Sequence, residues 1–121
     1  MRLYLSGPMT GKPDNNRTAF TKAAAHLRWL GHIVVSPSEL DRKSAKSPTT
    51  WGAYLGRDIQ ILADSKLDGI VLLPGWEKSN GARLELFASM LLRLLVAEYD
   101  PDTADLLYID DTMDRLRRSF G

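Results

Sequence analysis

RLYLSGPMTGKPDNNRTAFTKAAAHLRWLGHIVVSP, residues 2–37, is the stretch that decides the fold. Residues 2–6 are short and mainly apolar and run into Gly7-Pro8, the pattern of a buried strand that ends in a turn. Residues 12–17, KPDNNR, are turn-forming, and Asn15 or Asn16 stands where a helix cap is needed. Phe20, Ala23, Ala24, Leu27 and Leu30 then recur at helical spacing until Gly31 stops the helix. HIVVS, residues 32–36, has the β-branched content of a second strand, and Pro37 closes it. Strand, helix and strand in this order make a β-α-β unit, which implies parallel strands and a right-handed crossover.

Working outward, residues 37–49 read as a polar loop, longer than most connections in a compact domain and a candidate lid. Thr49 or Thr50 is placed to cap a helix running to about residue 63, and LDGIVLL, residues 67–73, is the most strand-like part of the chain. PGWEKSNG follows as a loop, residues 82–92 as a helix and residues 94–98 as a fourth strand. Residues 100–105 make a turn, residues 106–110 a short fifth strand, and residues 111–120 a terminal amphipathic helix. This alternation predicts a three-layer α/β sandwich, and without repeats or linkers the whole span 1–121 reads as a single domain.

Composition narrows the function. Sixteen Lys and Arg against fifteen Asp and Glu leave a formal charge of +1, too little for the broad positive field of a polymeric nucleic-acid binder. The absence of Cys excludes a disulfide framework and a thiolate zinc site, and nothing at the N-terminus resembles a signal peptide, so a cytoplasmic protein is expected. The longest mainly apolar run, residues 84–97, contains Glu85, Ser89 and Arg93 and is too short to cross a bilayer, so no membrane partner is expected. His26 and His32 lack acidic or His partners at ligand spacing, so no metal is expected either. Ser36 and Ser38 stand outside any GxSxG, and Arg115, Arg117 and Arg118 read as a solvated helix face or a subunit contact.

Ligands of parallel sheets sit beyond the carboxyl ends of the strands. That rule selects SGPMTG, PSELDRKS and PGWEKSNG, the loops after strands one, two and three, as the lining of one crevice. In the first, Gly7 and Gly11 allow close backbone approach while Ser6 and Thr10 offer hydroxyls, as in a phosphate-cradling turn; the bland alternative is a plain strand-to-loop turn. It is neither GxGxxG nor a P-loop, since Pro8 replaces a glycine and Gly11-Lys12-Pro13 lacks the hydroxyl residue for magnesium. In the helix from Thr50, Trp51, Tyr54, Leu55, Ile61 and Leu62 form an apolar stripe that also includes Asp58. Asp58 is either a carboxylate paired with Arg57 or Arg83, or an acid facing the crevice whose pKa a second carboxylate raises. That second carboxylate is Glu85, expected to stay anionic near the positive end of its helix and able to attack an anomeric carbon; the bland reading is a surface glutamate complementing the dipole.

With Tyr4, SGPMTG, Asp58 and SNGARLE in this order, the chain resembles the nucleoside 2-deoxyribosyltransferase-like superfamily, which includes deoxynucleoside-monophosphate N-glycosidases. It looks like a small branch of it frequent in phage and prophage genomes, and the likeness covers about residues 2–98. The resemblance implies a doubly wound, flavodoxin-like α/β fold with a parallel sheet of four or five strands, and dimers in which a neighbour's C-terminal region helps to close the site. It implies that Glu85 attacks the deoxyribose anomeric carbon, that Asp58 hydrogen-bonds or protonates the substrate, and that Tyr4 orients the nucleophile. Ser79, six residues before the glutamate, matches a serine that contacts the 5′-phosphate in the monophosphate hydrolases. Two positions depart from the pattern. Pro8 and Thr10 replace a serine and an arginine of the hydrolases' phosphate loop, which shifts phosphate binding to Ser6, Thr10, Ser79 or Arg17. The turn before the nucleophile helix is NGARLE rather than GxGxE, so Arg83 either binds phosphate or fills the pocket.

The leading expectation is therefore a homo-oligomeric enzyme, at least a dimer and without cofactor. It acts on a 2-deoxyribonucleoside or its 5′-monophosphate and cleaves or exchanges the N-glycosidic bond. Glu85, Asp58 and Tyr4 are its expected catalytic residues, and Ser6, Gly7, Thr10, Gly11, Ser79, Asn80, Gly81 and Arg83 the expected substrate-binding set. A different class is a nucleotide-sensing module that uses the same crevice without chemistry, and a third reading is cleavage of an NAD-like ribosyl bond.

Overall fold

The computed structural model describes residues 1–43, 50–64, 66–109 and 118. Apart from Arg118, the terminal helix expected over residues 111–120 lies outside them, as do residues 44–49 of the expected lid. Five strands form one sheet: β1 (Arg2–Ser6), β2 (Ile33–Val35), β3 (Gly69–Leu72), β4 (Leu95–Tyr99) and β5 (Leu106–Tyr108), in the order β2-β1-β3-β4-β5. The first four are parallel and β5 runs antiparallel on the edge beyond β4, with Ala97 opposite Tyr108. This is the doubly wound, flavodoxin-like order.

Alternation along the strands sends the side chains to two cores. Leu3 and Leu5 of β1 join Val34, Val71 and Tyr99 under helix α1 (Arg17–Trp29), which contributes Phe20, Ala23, Ala24 and Leu27. On the opposite face Tyr4 packs with Ile70, Leu72 and Val96 under α3 (Trp51–Asp64) and α4 (Asn80–Leu91), which bring Leu62, Ala82 and Leu86. Full burial of each large apolar side chain stabilises by about 1.5–3 kcal/mol. Among the described residues, no helix is long and apolar enough to cross a membrane.

Three local expectations change. Residues 37–43 are not loop but helix α2 (Pro37–Lys43), because Glu39 holds Arg28 of α1 in a bidentate pair at 2.6 and 2.8 Å while Arg28 also donates to the Val34 carbonyl at 2.8 Å. Asn16 precedes α1 but does not cap it through its side chain; its φ is +61° and its amide donates to the Pro8 carbonyl at 2.9 Å, bracing the loop after β1. The stripe on α3 is only partly core: Leu62 is buried, whereas Tyr54 and Leu55 are half-buried and Trp51 is 51% exposed. Thr50 does cap α3, accepting from the Ala53 amide at 3.1 Å.

Candidate active site

A cavity of about 560 Å³ opens beyond the carboxyl ends of β1 and β3, within the range of small-molecule sites. These are the central strands between which the order reverses, the place where doubly wound sheets bind ligands. One wall is the loop after β1, with Gly7 to Thr10, Lys12 and Asn15; a second is Gly75 and residues 78–82, where β3 leads into α4. The third wall is α3, with Trp51, Tyr54, Leu55, Arg57 and Asp58, and Glu85 also lines the cavity. Residues 37–40 of α2 do not line it, and residues 44–49 of the expected loop lie outside the described residues.

Glu85 reaches this place because of helical spacing. Ala82, Glu85, Leu86 and Ser89 are the buried residues of α4, one stripe facing the sheet. The carboxylate thus replaces an apolar side chain over β1. Tyr4 and Ser6 meet it there because residues two apart on a strand share a face. Tyr4 donates to Glu85 Oε2 at 2.5 Å and Ser6 to Oε1 at 2.7 Å, so each carboxylate oxygen holds a hydroxyl donor. Tyr4 and Ser6 consequently stand behind the glutamate rather than on the cavity wall.

Asp58 approaches from α3 and is itself held by Arg57, whose Nε and Nη2 donate to Oδ1 at 3.1 and 2.9 Å. Arg57 also stands 5.4 Å from the centre of the Tyr54 ring, in cation–π range. The electrostatics correct the expectation that Glu85 is the naturally ionised member of the pair. Burial is the largest cause that raises its pKa, to about 8, with the Asp58 charge next; the Tyr4 and Ser6 hydrogen bonds pull it down without compensating. The helix dipole gives little relief, since Glu85 follows the Ser79 cap by six positions and lies beyond the first turn. Burial and the Glu85 charge push the Tyr4 phenol well above its ordinary range, so it remains a donor.

The remaining candidates divide. Gly7, Thr10, Ser79, Asn80 and Gly81 line the cavity, whereas Gly11 and Arg83 do not. Arg83 neither fills the pocket nor faces it; its guanidinium donates to the Asn80 side chain one turn back on the helix. Gly7 serves close packing, because a Cβ there would stand 2.8 Å from Leu73 Cβ. Ser79 caps α4 by accepting from the Ala82 amide at 3.1 Å. Arg17 faces Asp14 at 3.8 Å and is absent from the cavity wall. Sequence reasoning missed Lys12, Lys78 and the exposed Trp51 as wall residues. It also took Ser6 for a ligand contact, although its two-residue offset from Tyr4 signals a shared partner.

Among known proteins, the family model described as a domain of unknown function, DUF4406, matches residues 1–97. No curated protein matches the sequence significantly. Among solved structures, a 2-deoxyribosyltransferase from the psychrotolerant bacterium Bacillus psychrosaccharolyticus superposes with a TM-score of 0.63 and 23% identity. The match covers 84% of this chain and 73% of that one, and at this identity it establishes a shared fold.

Proposed function

The chain belongs to the DUF4406 family, whose model takes in the cavity walls and the Glu85–Asp58 pair, and we propose that it cleaves or exchanges the N-glycosidic bond of a 2-deoxyribonucleoside or its 5′-monophosphate. The observation that carries this reading is the buried Glu85, with a hydroxyl donor on each oxygen, next to a second carboxylate in a ligand-sized cavity. The 2-deoxyribosyltransferase of the same fold supports it.

The pair carries one proton near neutral pH, because two adjacent buried carboxylates resist double ionisation. Tyr4 and Ser6 favour the charge on Glu85, and the productive arrangement leaves the proton on Asp58. A Glu85 oxygen attacks the anomeric carbon, the C–N bonding pair leaves with the base, and Asp58 delivers its proton to the base nitrogen. The products are a free base and a deoxyribosyl ester of Glu85. Water then attacks that ester, losing its proton to the Asp58 carboxylate, which gives hydrolysis; a second base in place of water gives transfer.

The test is incubation with pooled deoxynucleosides and deoxynucleotides, read by mass spectrometry for released base and for a Glu85 peptide heavier by one deoxyribosyl unit or its phosphate. Glu85→Ala is expected to lose about three or more orders of magnitude in rate. Unaltered turnover in that variant overturns the mechanism, and intact substrates with tight binding favour the sensing module.

The homo-oligomer belongs to the same proposal. Leu84, Phe87 and Leu91 stand on the solvent side of α4 with exposures of 40, 44 and 70%, an apolar stripe suited to a second copy.

A further inference from the structure

We propose that the cavity selects the 5′-monophosphate over the free nucleoside, and that Lys12 and Lys78 supply the counter-charge for the phosphate. This rests on the glycosidic reading above and narrows its substrate. The two lysines lie on different walls, one on the loop after β1 and the other just before α4. Among the described residues neither forms an ion pair with a protein carboxylate. The other cation on the wall, Arg57, is held by Asp58. With one proton shared by Asp58 and Glu85, the wall carries three positive charges against one negative. The surplus of two matches a phosphomonoester, which carries about −1.5 to −2 near neutral pH.

Two of the hydroxyls that sequence reasoning assigned to the phosphate already have protein partners, although Ser79 keeps its O–H free to donate. Ser6 donates to Glu85, and Ser79 Oγ accepts the capping amide of α4. Thr10, on the wall beside Lys12, adds a neutral donor.

The reaction geometry fixes which end of the substrate meets the lysines. Asp58 must protonate the departing base, so the base lies along α3. Trp51, Tyr54 and Asp58 are spaced i, i+3 and i+7 on that helix, one face extending about 10 Å from the carboxylate to the indole. Trp51 and Tyr54 give this face the aromatic surface on which a base stacks. With the base on α3 and the anomeric carbon over Glu85, the 5′ substituent points to the two loop walls that carry Lys12 and Lys78.

Calorimetry with the four 2′-deoxynucleoside 5′-monophosphates and the four parent nucleosides tests this on the wild-type chain and on the Lys12→Ala/Lys78→Ala double variant. At least one monophosphate is expected to bind the wild type about tenfold or more tightly than its nucleoside, an advantage that shrinks as salt rises. In the double variant that advantage is expected to fall to within about threefold with nucleoside affinity unchanged, and Lys12→Arg/Lys78→Arg is expected to retain most of it. Nucleoside binding without a phosphate preference overturns this proposal and leaves the glycosidic reading standing. A preference that survives in the double alanine variant overturns the lysine assignment. Binding of neither class overturns both readings.

Discussion

Glu85 is a carboxyl group placed where an apolar side chain belongs, and its titration is therefore coupled to the stability of the fold. Its pKa is raised in the folded state, so above the ordinary carboxylate range the native protein retains a proton that the unfolded chain has released. The stability it confers is full below that range and is lost as pH rises towards about 8. The loss amounts to at most about 1.4 kcal/mol per pH unit for one proton. Glu85→Gln cannot ionise, so its melting temperature is expected to gain on the wild type as pH is raised from about 5 to about 7.5. Thermal melts of both proteins across that window check this, and parallel curves overturn it. Tyr4 and Ser6 oppose this penalty from behind the glutamate.

At the scale of elements, the start of α4 sets the position of the glutamate. Ser79 fixes where the helix begins, and Glu85 lies six residues on, so the cap governs the site through the backbone. Ser79→Ala is expected to cost about 1 kcal/mol, roughly 4 °C in melting temperature, and Ser79→Asn to restore most of it because Asn also caps. If the restored variant also recovers turnover, capping is the main role of Ser79; stability without turnover assigns it to the ligand. The strands and long helices were legible because their periodicity is strong, as in residues 2–36 and in LDGIVLL. Residues 37–43 were not, because their helix depends on the Arg28–Glu39 pair, whose members lie on different elements. The meeting of Tyr4, Asp58 and Glu85 followed from order along the chain together with family resemblance. The positions of Ser6 and Arg83 needed the facing of a strand and the path of a long side chain, which composition does not encode.

For the whole molecule, the β order places the cavity at the strand-reversal point while leaving the outer side of α4 apolar. If a second copy covers that face, Phe87→Glu is expected to shift the protein from dimer to monomer, because burying an unpaired carboxylate in an apolar contact costs several kcal/mol. Light scattering after size exclusion measures it, and a wild type that is already monomeric refutes the proposal. Parallel order was legible from the β-α-β pattern, whereas the antiparallel sense of β5 was not, since a turn over residues 100–105 reads the same for either direction of return. Strand β1 has a last consequence. It is bonded to β2 along Arg2–Tyr4 and to β3 along Leu3–Ser6 and is covered on both faces, so its backbone is expected to open only with the domain. The residues whose hydroxyls hold Glu85 are therefore expected to carry some of the slowest-exchanging amides of the chain, which gives the site the rigidity of global unfolding rather than of its loops.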